Sequence, residues 1–462
     1  MPNPLTMLVV PIFLAWNASC VAQAVSNKPA MACNGVTDDH DALAEALTAL
    51  PDKGSTVAVL PPGRCRIGAS VLVTLRGNQT AVIAGQGPYA TELVFSGPGD
   101  GLVIRYESQA SYTRDASTGA ALHVSGLSIV HAEGLGGDGL RIEGDSANEA
   151  GVVQPDTILA DVVVRGGSGG SGWARGVVLQ DVANTALRHL SLMCPNANHP
   201  MTAQASGLWI GTTGQRYATR HNLVDLSTWG CGTGVAIGER VQGVAIVNGN
   251  FTGGRIGVHW NSVGRQELLA VSNSQFSTIE AGVRVFNVQN VQLTGNTFYN
   301  QNAYAAVPGS WVAIDLAEAD NSQVTGNGIM GLGRGEETGL HIVNDLAMVA
   351  ADQPTIVSGN TFSNLNGPAL YTANDTSGVL FTGNAVTVRA VPPLAVAPGT
   401  AVAAAGNWFA GVPFTAGWPG SPGFTLSVVG GRPVGTNWPQ GPAGLPAGGM
   451  WVDETGGVHV AR

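Results

Sequence analysis

One short phrase returns seven times through the second half of this chain. It reads NGNF (248–251), SNSQF (272–276), TGNTF (294–298), TGNGI (325–329), SGNTF (358–362), TGNAV (382–386) and AGNWF (405–409). Measured at the last residue, the steps are 25, 22, 31, 33, 24 and 23, and the two long ones carry an insertion. A β-patterned run precedes most copies (VAIVN, LLAVSN, VQLTGN, SQVTGN, TIVSGN, VLFTGN). Another short strand often follows, beginning at a glycine (GVHWN, GVRVF, GLHIV). Each unit therefore holds about three strands of four or five residues and no helix-length apolar period. A unit this small cannot bury its own apolar face, and stacking on its neighbours is the remedy. The recurrent Asn falls at a bend between strands. It is expected there in the left-handed conformation, stacked coil on coil as a structural ladder.

Less regular strands of the same kind run upstream, from TVAVL (56–60) through GLRIE (139–143) to GVAIG (234–238). A solenoid over 55–412 at roughly 25 residues per turn makes some 13 to 15 coils, a rod roughly 60–70 Å long at about 4.8 Å per layer.

An open solenoid end exposes apolar core and unpaired strand edges, so it needs a cap. Residues 33–50 supply one. Thr37 or Asp38 can cap the N-terminus of a helix whose apolar face is Leu43, Leu47 and Leu50, ended by Pro51 and Gly54. The adjacent acids Asp38 and Asp39 belong to that helix start rather than to a catalytic couple. The run Asn34-Gly35-Val36-Thr37-Asp38-Asp39, this helix, and Thr56-Val57-Ala58-Val59-Leu60-Pro61-Pro62-Gly63 together resemble the opening of the right-handed parallel β-helix pectate-lyase superfamily, in its rhamnogalacturonase- and tailspike-like branch. The chain departs from that pattern at Asn34 and at Arg64-Cys65. The paired-Asp and Gly-His-Gly motifs of polygalacturonases are missing. The resemblance implies an all-β, right-handed parallel β-helix with a short N-terminal capping helix. It also implies cleavage of acidic or microbial polysaccharides, by hydrolysis or by elimination.

Composition narrows the partners. Only 11% of residues are charged, Gly accounts for 65 of 462, and the formal net charge is −10. An acidic surface is unsuited to the phosphate backbone of nucleic acid. Residues 8–16 form an apolar run too short to span a bilayer, followed by Ala22-Gln23-Ala24, a cleavage-type pattern. We read 1–24 as a signal peptide, 25–54 as the cap and 55–412 as the β-helix. The Pro- and Gly-rich 413–462 ends in a hairpin near Met450–Val460. Export to the periplasm or the medium suits the four remaining cysteines, paired Cys33–Cys65 and Cys194–Cys231. No C-x-x-C or clustered His suggests a metal, and no nucleotide or organic cofactor is expected. The rod is expected as a monomer or a homotrimer.

Side chains alternate along a strand. Aligning the glycine-started strands puts Leu140, Val177, Leu208, Val235, Val258, Val283, Leu340 and Leu370 inside. The next residue of each then points out: Arg141, Val178, Trp209, Ala236, His259, Arg284, His341 and Tyr371. In WVAIDL (311–316), Trp311, Ala313 and Asp315 are expected outside. Asn261 lies two residues beyond His259 on the same side. Glu280 and Glu318 flank the strip within one coil of Asp315. A file of His, Arg, Asp and aromatic residues suits an acidic sugar polymer. Trp209, Trp311 and Tyr371 would offer flat apolar faces, Asn261 a polar contact, and Arg284 a fork for a carboxylate. Two reactions fit. Hydrolysis would use Asp315 with Glu280 or Glu318. Elimination from a uronic acid would use His259 or His341 as base with Arg284 stabilising the carboxylate. The expected function is an exported polysaccharide-degrading enzyme, and the alternative is a catalytically silent glycan-binding or adhesion rod.

Overall fold

In the computed structural model the chain winds into a right-handed parallel β-helix. The structure describes residues 30–409 apart from 49–53, 77–78, 108–120, 145–155, 168–169, 196–204, 215–216, 302–309, 345–353, 374–375, 377, 390–392, 398–399 and 401. It also describes the short strands Ser427–Val429, Arg432–Val434, Met450–Val452 and Val458–Val460. The signal-peptide reading and the cleavage pattern lie outside the described residues.

Each coil contributes one strand to each of three parallel sheets. In one full turn, residues 250–254 lie in one sheet, 256–261 in a second and 266–272 in a third. The next turn repeats this at 275–278, 281–286 and 288–294, in register. The sheet that begins with Asn34–Asp38 and reaches Trp408–Phe409 is fourteen strands deep. At about 4.8 Å per layer this is roughly 62 Å, within the expected rod length.

Two columns at one corner explain the repeated phrase, and they correct the role expected of Asn. The residue in the left-handed conformation is the one before it: Gly295, Gly326, Gly359, Gly383 and Gly406, with φ of 63–66°, and Asn248 and Asn273 in the two earlier coils. Gly takes this conformation without steric cost, and Asn is the next best choice. The recurrent Asn follows and points inward. Asn296, Asn327, Asn360, Asn384 and Asn407 are buried and form a continuous ladder. Each Oδ1 accepts from the backbone N–H (2.9 Å) and the Nδ2 of the Asn one coil earlier, beginning with Asn327 and Asn296. In coils nearer the N-terminus the same place holds Leu127, Val162, Leu190 and Leu226. The ladder is therefore a property of the C-terminal half.

Two residues after the ladder position, aromatic rings fill the core. Phe251, Phe276 and Phe298 stack with centroids 4.7 and 4.8 Å apart and nearly parallel planes. A column of small residues makes room for them. A side chain at Gly257 or Gly282 would run into Phe276 or Phe298 and into the carbonyl of the next coil.

The entry is capped by the helix His40–Thr48, with Leu43 and Leu47 buried. Leu50 and Pro51 lie outside the described residues. Asp38 accepts from the His40 backbone N–H at 3.0 Å, as a capping residue does. Asp39 instead accepts from Ala32 and Cys33, which ties the chain's entry to the first coil. Gly63 closes the Pro-Pro-Gly turn at φ 120°, and a Cβ there would lie 2.2 Å from the Cys33 carbonyl oxygen. Disulfides join Cys33 to Cys65 and Cys194 to Cys231. Toward the end of the chain, Met450–Val452 pairs antiparallel with Val458–Val460. No helix among the described residues is long and apolar enough to cross a membrane.

Candidate functional site

The second sheet carries the file that the glycine-started strands suggested. Register places Arg141, Val178, Trp209, Ala236 and His259 side by side in successive coils. The file continues through Arg284, Asp315, His341 and Tyr371. The mechanical reason is the small residue that opens each strand. It pins the turn against the coil above, so the core residue and the outward residue fall at the same places every time.

Four charged groups of this file and its margin are bonded into one chain. The Arg255 guanidinium donates to Glu280 Oε2 from Nε (3.0 Å) and Nη2 (2.7 Å). Arg284 donates from Nη1 to Glu280 Oε1 at 2.6 Å and from Nε to Asp315 Oδ2 at 2.9 Å. His341 Nδ1 lies 2.9 Å from Asp315 Oδ1, and the His341 ring leans on Tyr371 at 5.1 Å. All of these groups except Tyr371 are half-buried; Tyr371 is 44% exposed.

The electrostatics follow from this pairing. Burial pushes the Asp315 carboxyl up, but the His341 hydrogen bond and the His341 and Arg284 charges outweigh it and hold the group below its ordinary range. Burial likewise pushes Glu280 up, and Arg284 and Arg255 together bring it down. Burial works against the Arg284 charge, yet Glu280 and Asp315 raise its pKa overall. His259 is lowered, first by burial and then by the nearby Arg284 charge, so its ring is neutral near pH 7. Both carboxylates are therefore ionised, and both sit on the same arginine.

Further toward the N-terminus the Trp209 ring lies along its strand over two glycines. A Cβ at Gly211 would be 2.5 Å from the ring and one at Gly238 3.6 Å from it. The Arg175 guanidinium sits 5.4 Å from the Trp209 ring centroid, fixed by a fork to Asp138 at 2.6 and 2.8 Å. Arg141, in the file itself, pairs with Glu143 at 2.6 Å.

Three residues expected at the site are placed elsewhere. Trp311 is fully buried at 0% exposure, and its indole Nε1 donates to Thr278 Oγ1 at 3.3 Å. Ala313 is buried as well, beside the buried Ile314, and two inward residues in succession break the alternation that put Trp311 outside. Val312, expected inside, is instead only half-buried. Glu318 lies past the end of its strand, in the left-handed conformation at φ 50°, about 10 Å along the chain from Asp315. Val178 keeps its place in the file but is completely covered. Asn261 is exposed beside Phe286, about 7 Å along the strand from His259.

Arg255 was missed in the sequence. The signal was present, because Arg255 stands four residues before His259 just as Glu280 stands four before Arg284. Asp138 and Arg175 escaped notice for a different reason, since they lie before the glycine that anchors the alignment.

The register, the three-sheet coil and the inward ladder define a right-handed parallel β-helix protein. Residues 233–409 match the family described as "Right handed beta helix region". No curated protein matches the chain. Among solved structures it is similar to the N-terminal fragment of bacteriophage Phi29 gene product 12, at 13% identity and a TM-score of 0.52, covering 87% of this chain and 71% of that one. It is also similar to tailspike protein 3 of bacteriophage CBA120, at 13% identity and a TM-score of 0.53, covering 92% of this chain and 65% of that one. The likeness at this identity is one of fold.

Proposed function

We propose that this protein binds a polysaccharide along the file from Trp209 to Tyr371 and hydrolyses it at Asp315 and His341. The observation that carries the reading is the carboxylate–imidazole pair, 2.9 Å apart and half-buried, set between aromatic residues of one file. Trp209 lies four coils and Tyr371 two coils from Asp315, so the file is about 29 Å long at 4.8 Å per coil. A straight file of that length suits a polymer, and the two rings offer apolar faces to pyranoses.

The pairing assigns the roles. Asp315 is held ionised by His341 and Arg284, and Glu280 by Arg284 and Arg255, so neither is the protonated acid that a two-carboxylate hydrolase uses. Proton delivery falls to His341. Its Nδ1 is anchored on Asp315, which leaves Nε2 to protonate the glycosidic oxygen as the bond to the anomeric carbon breaks. Water adds at that carbon and loses a proton to solvent, from which His341 regains the one it gave. Asp315 stabilises the positive charge that develops on the ring. Arg255 and Glu280 position Arg284, and Arg284 positions Asp315. The two disulfides support a periplasmic or secreted location.

A second reading, a binding rod without turnover, is favoured by one observation: each carboxylate of the pair is already in an ion pair with Arg284. Incubating the purified full chain with a panel of polysaccharides separates the two. New reducing ends without the unsaturated sugar that elimination leaves, lost in Asp315→Asn and His341→Ala, establish the hydrolase. Retention by a polysaccharide without new ends establishes the binder. Neither cleavage nor retention with any polymer refutes both.

A further inference from the structure

We infer that the glycan accepted by this face is neutral, an unsubstituted hexose or deoxyhexose polymer rather than a uronic-acid one. The inference rests on the glycan reading above and narrows its substrate class. A site for a polyanion needs cations with open donor forks. Each arginine of this face is already paired with carboxylates. Arg255 is held by Glu280, and Arg284 by Glu280 and Asp315. Arg175 is held by Asp138, and Arg141 is ringed by Glu143, Asp138 and Asp100 and donates to Gln180 Oε1 at 3.2 Å.

Among the guanidiniums and carboxylates of the central stretch charge therefore alternates and cancels: Arg255, Glu280, Arg284 and Asp315 contribute two charges of each sign, and the proton that His341 delivers is held beside Asp315. His259, between Ala236 and Arg284 in the file, adds none near neutrality. Beyond the face, the chain carries a formal net charge of −10, which repels a polyanion at low salt. What the face does offer is matched to hydroxyl groups. Remaining guanidinium N–H groups donate and carboxylate lone pairs accept, side by side, next to the flat faces of Trp209 and Tyr371. The acidic glycan expected from residue types alone counted Arg284 as free, and the geometry shows it occupied from both sides.

The inference also chooses between the two reactions. Elimination requires a carboxylate at C5 to acidify the neighbouring proton. A neutral sugar lacks one, which leaves hydrolysis.

The test is affinity electrophoresis of the full chain through gels containing dextran, mannan, galactan, polygalacturonate or alginate, at low and at moderate salt. We expect retardation by at least one neutral polymer, about tenfold stronger than by either uronate and unchanged by salt. Retardation chiefly by polygalacturonate or alginate, weakening as salt is added, overturns the inference while leaving the glycan reading intact. If Trp209→Ala and Tyr371→Ala leave retardation by every polymer unchanged, the glycan reading itself falls. A gain-of-function variant checks the cause. Glu280→Gln releases Arg255 and one arm of Arg284, and should raise affinity for polygalacturonate about tenfold, one charge-assisted hydrogen bond's worth. Asp138→Asn, which releases Arg175 in a separate ion pair, should do the same. Two folded variants with no gain for uronates refute the argument from filled forks.

Discussion

The inward Asn ladder yields the sharpest stability prediction. The Asn327 side chain makes four buried hydrogen bonds. Its Oδ1 accepts from Asn296 N (2.9 Å) and Nδ2 (3.0 Å), and its Nδ2 donates to the Leu293 carbonyl and to Asn360 Oδ1, both at 2.9 Å. Asn327→Ala removes all four. Asn296 Nδ2 keeps the Val271 carbonyl and Asn360 Oδ1 keeps the Asn327 backbone N–H. The Asn296 N–H and the Leu293 carbonyl lose the bonds that Asn327 made, inside a core with little room for water. At about 1–3 kcal/mol for each of these two unsatisfied buried groups, the substitution costs about 2–6 kcal/mol. Asn327→Asp costs more, because an acceptor then faces both the Leu293 carbonyl and Asn360 Oδ1. Asn407→Ala, on the last rung, costs less. Its side chain receives the same two bonds from Asn384 and donates to the Phe381 carbonyl. A solenoid need not unfold in one step, so the assay pairs guanidinium denaturation with amide exchange of peptides covering 290–300. The Asn296 amide should exchange at least a hundredfold faster in Asn327→Ala. Unchanged exchange there, with an unchanged denaturation midpoint, would refute the view that the ladder holds the coils together.

Other outcomes follow from single groups. Burial lowers the His221 pKa from 6.5 to about 4, so the fold holds the neutral ring. Its contribution is complete above pH 6.5 and is lost as pH falls through 4. The acid limb of the stability profile should therefore shrink by about 3 kcal/mol in His221→Leu, and an unaltered limb counts against the assignment. Removing the Cys194–Cys231 bridge, which spans 37 residues, should lower stability by roughly 4 kcal/mol in non-reducing denaturation; a loss under 1 kcal/mol would show that other contacts hold that loop. Trp209→Ala should weaken polysaccharide retention at least fivefold while moving the melting temperature little, because the half-buried ring lies outside the core, over Gly211 and Gly238. A large thermal shift with unchanged retention would make Trp209 a packing residue.

Much of the site could be read from the chain because the coil repeats its own geometry. A glycine followed by a core residue and then an outward residue recurs in coil after coil. Aligning those strands placed His259, Arg284, Asp315, His341 and Tyr371 in one file, as the register shows. Trp311 failed because, in the strand Trp311–Ala317, the register position of the aligning glycine is held by Ala313. Parity counted backward through a buried small residue gives the wrong side. The left-handed residue of the repeated phrase was assigned one place late. Gly and Asn are both permissive there, and only φ distinguishes them.

The chain by itself determined that short strands would stack into a capped rod and which residues would share its outer file. Both depend on spacing, and spacing is written in the sequence. Only the tertiary structure decided which charges on that file are spent on one another. An arginine reads the same whether it is open or paired, and Asp315, which holds Arg284 together with Glu280 of its own coil, comes from the next coil and is brought within bonding distance by the winding.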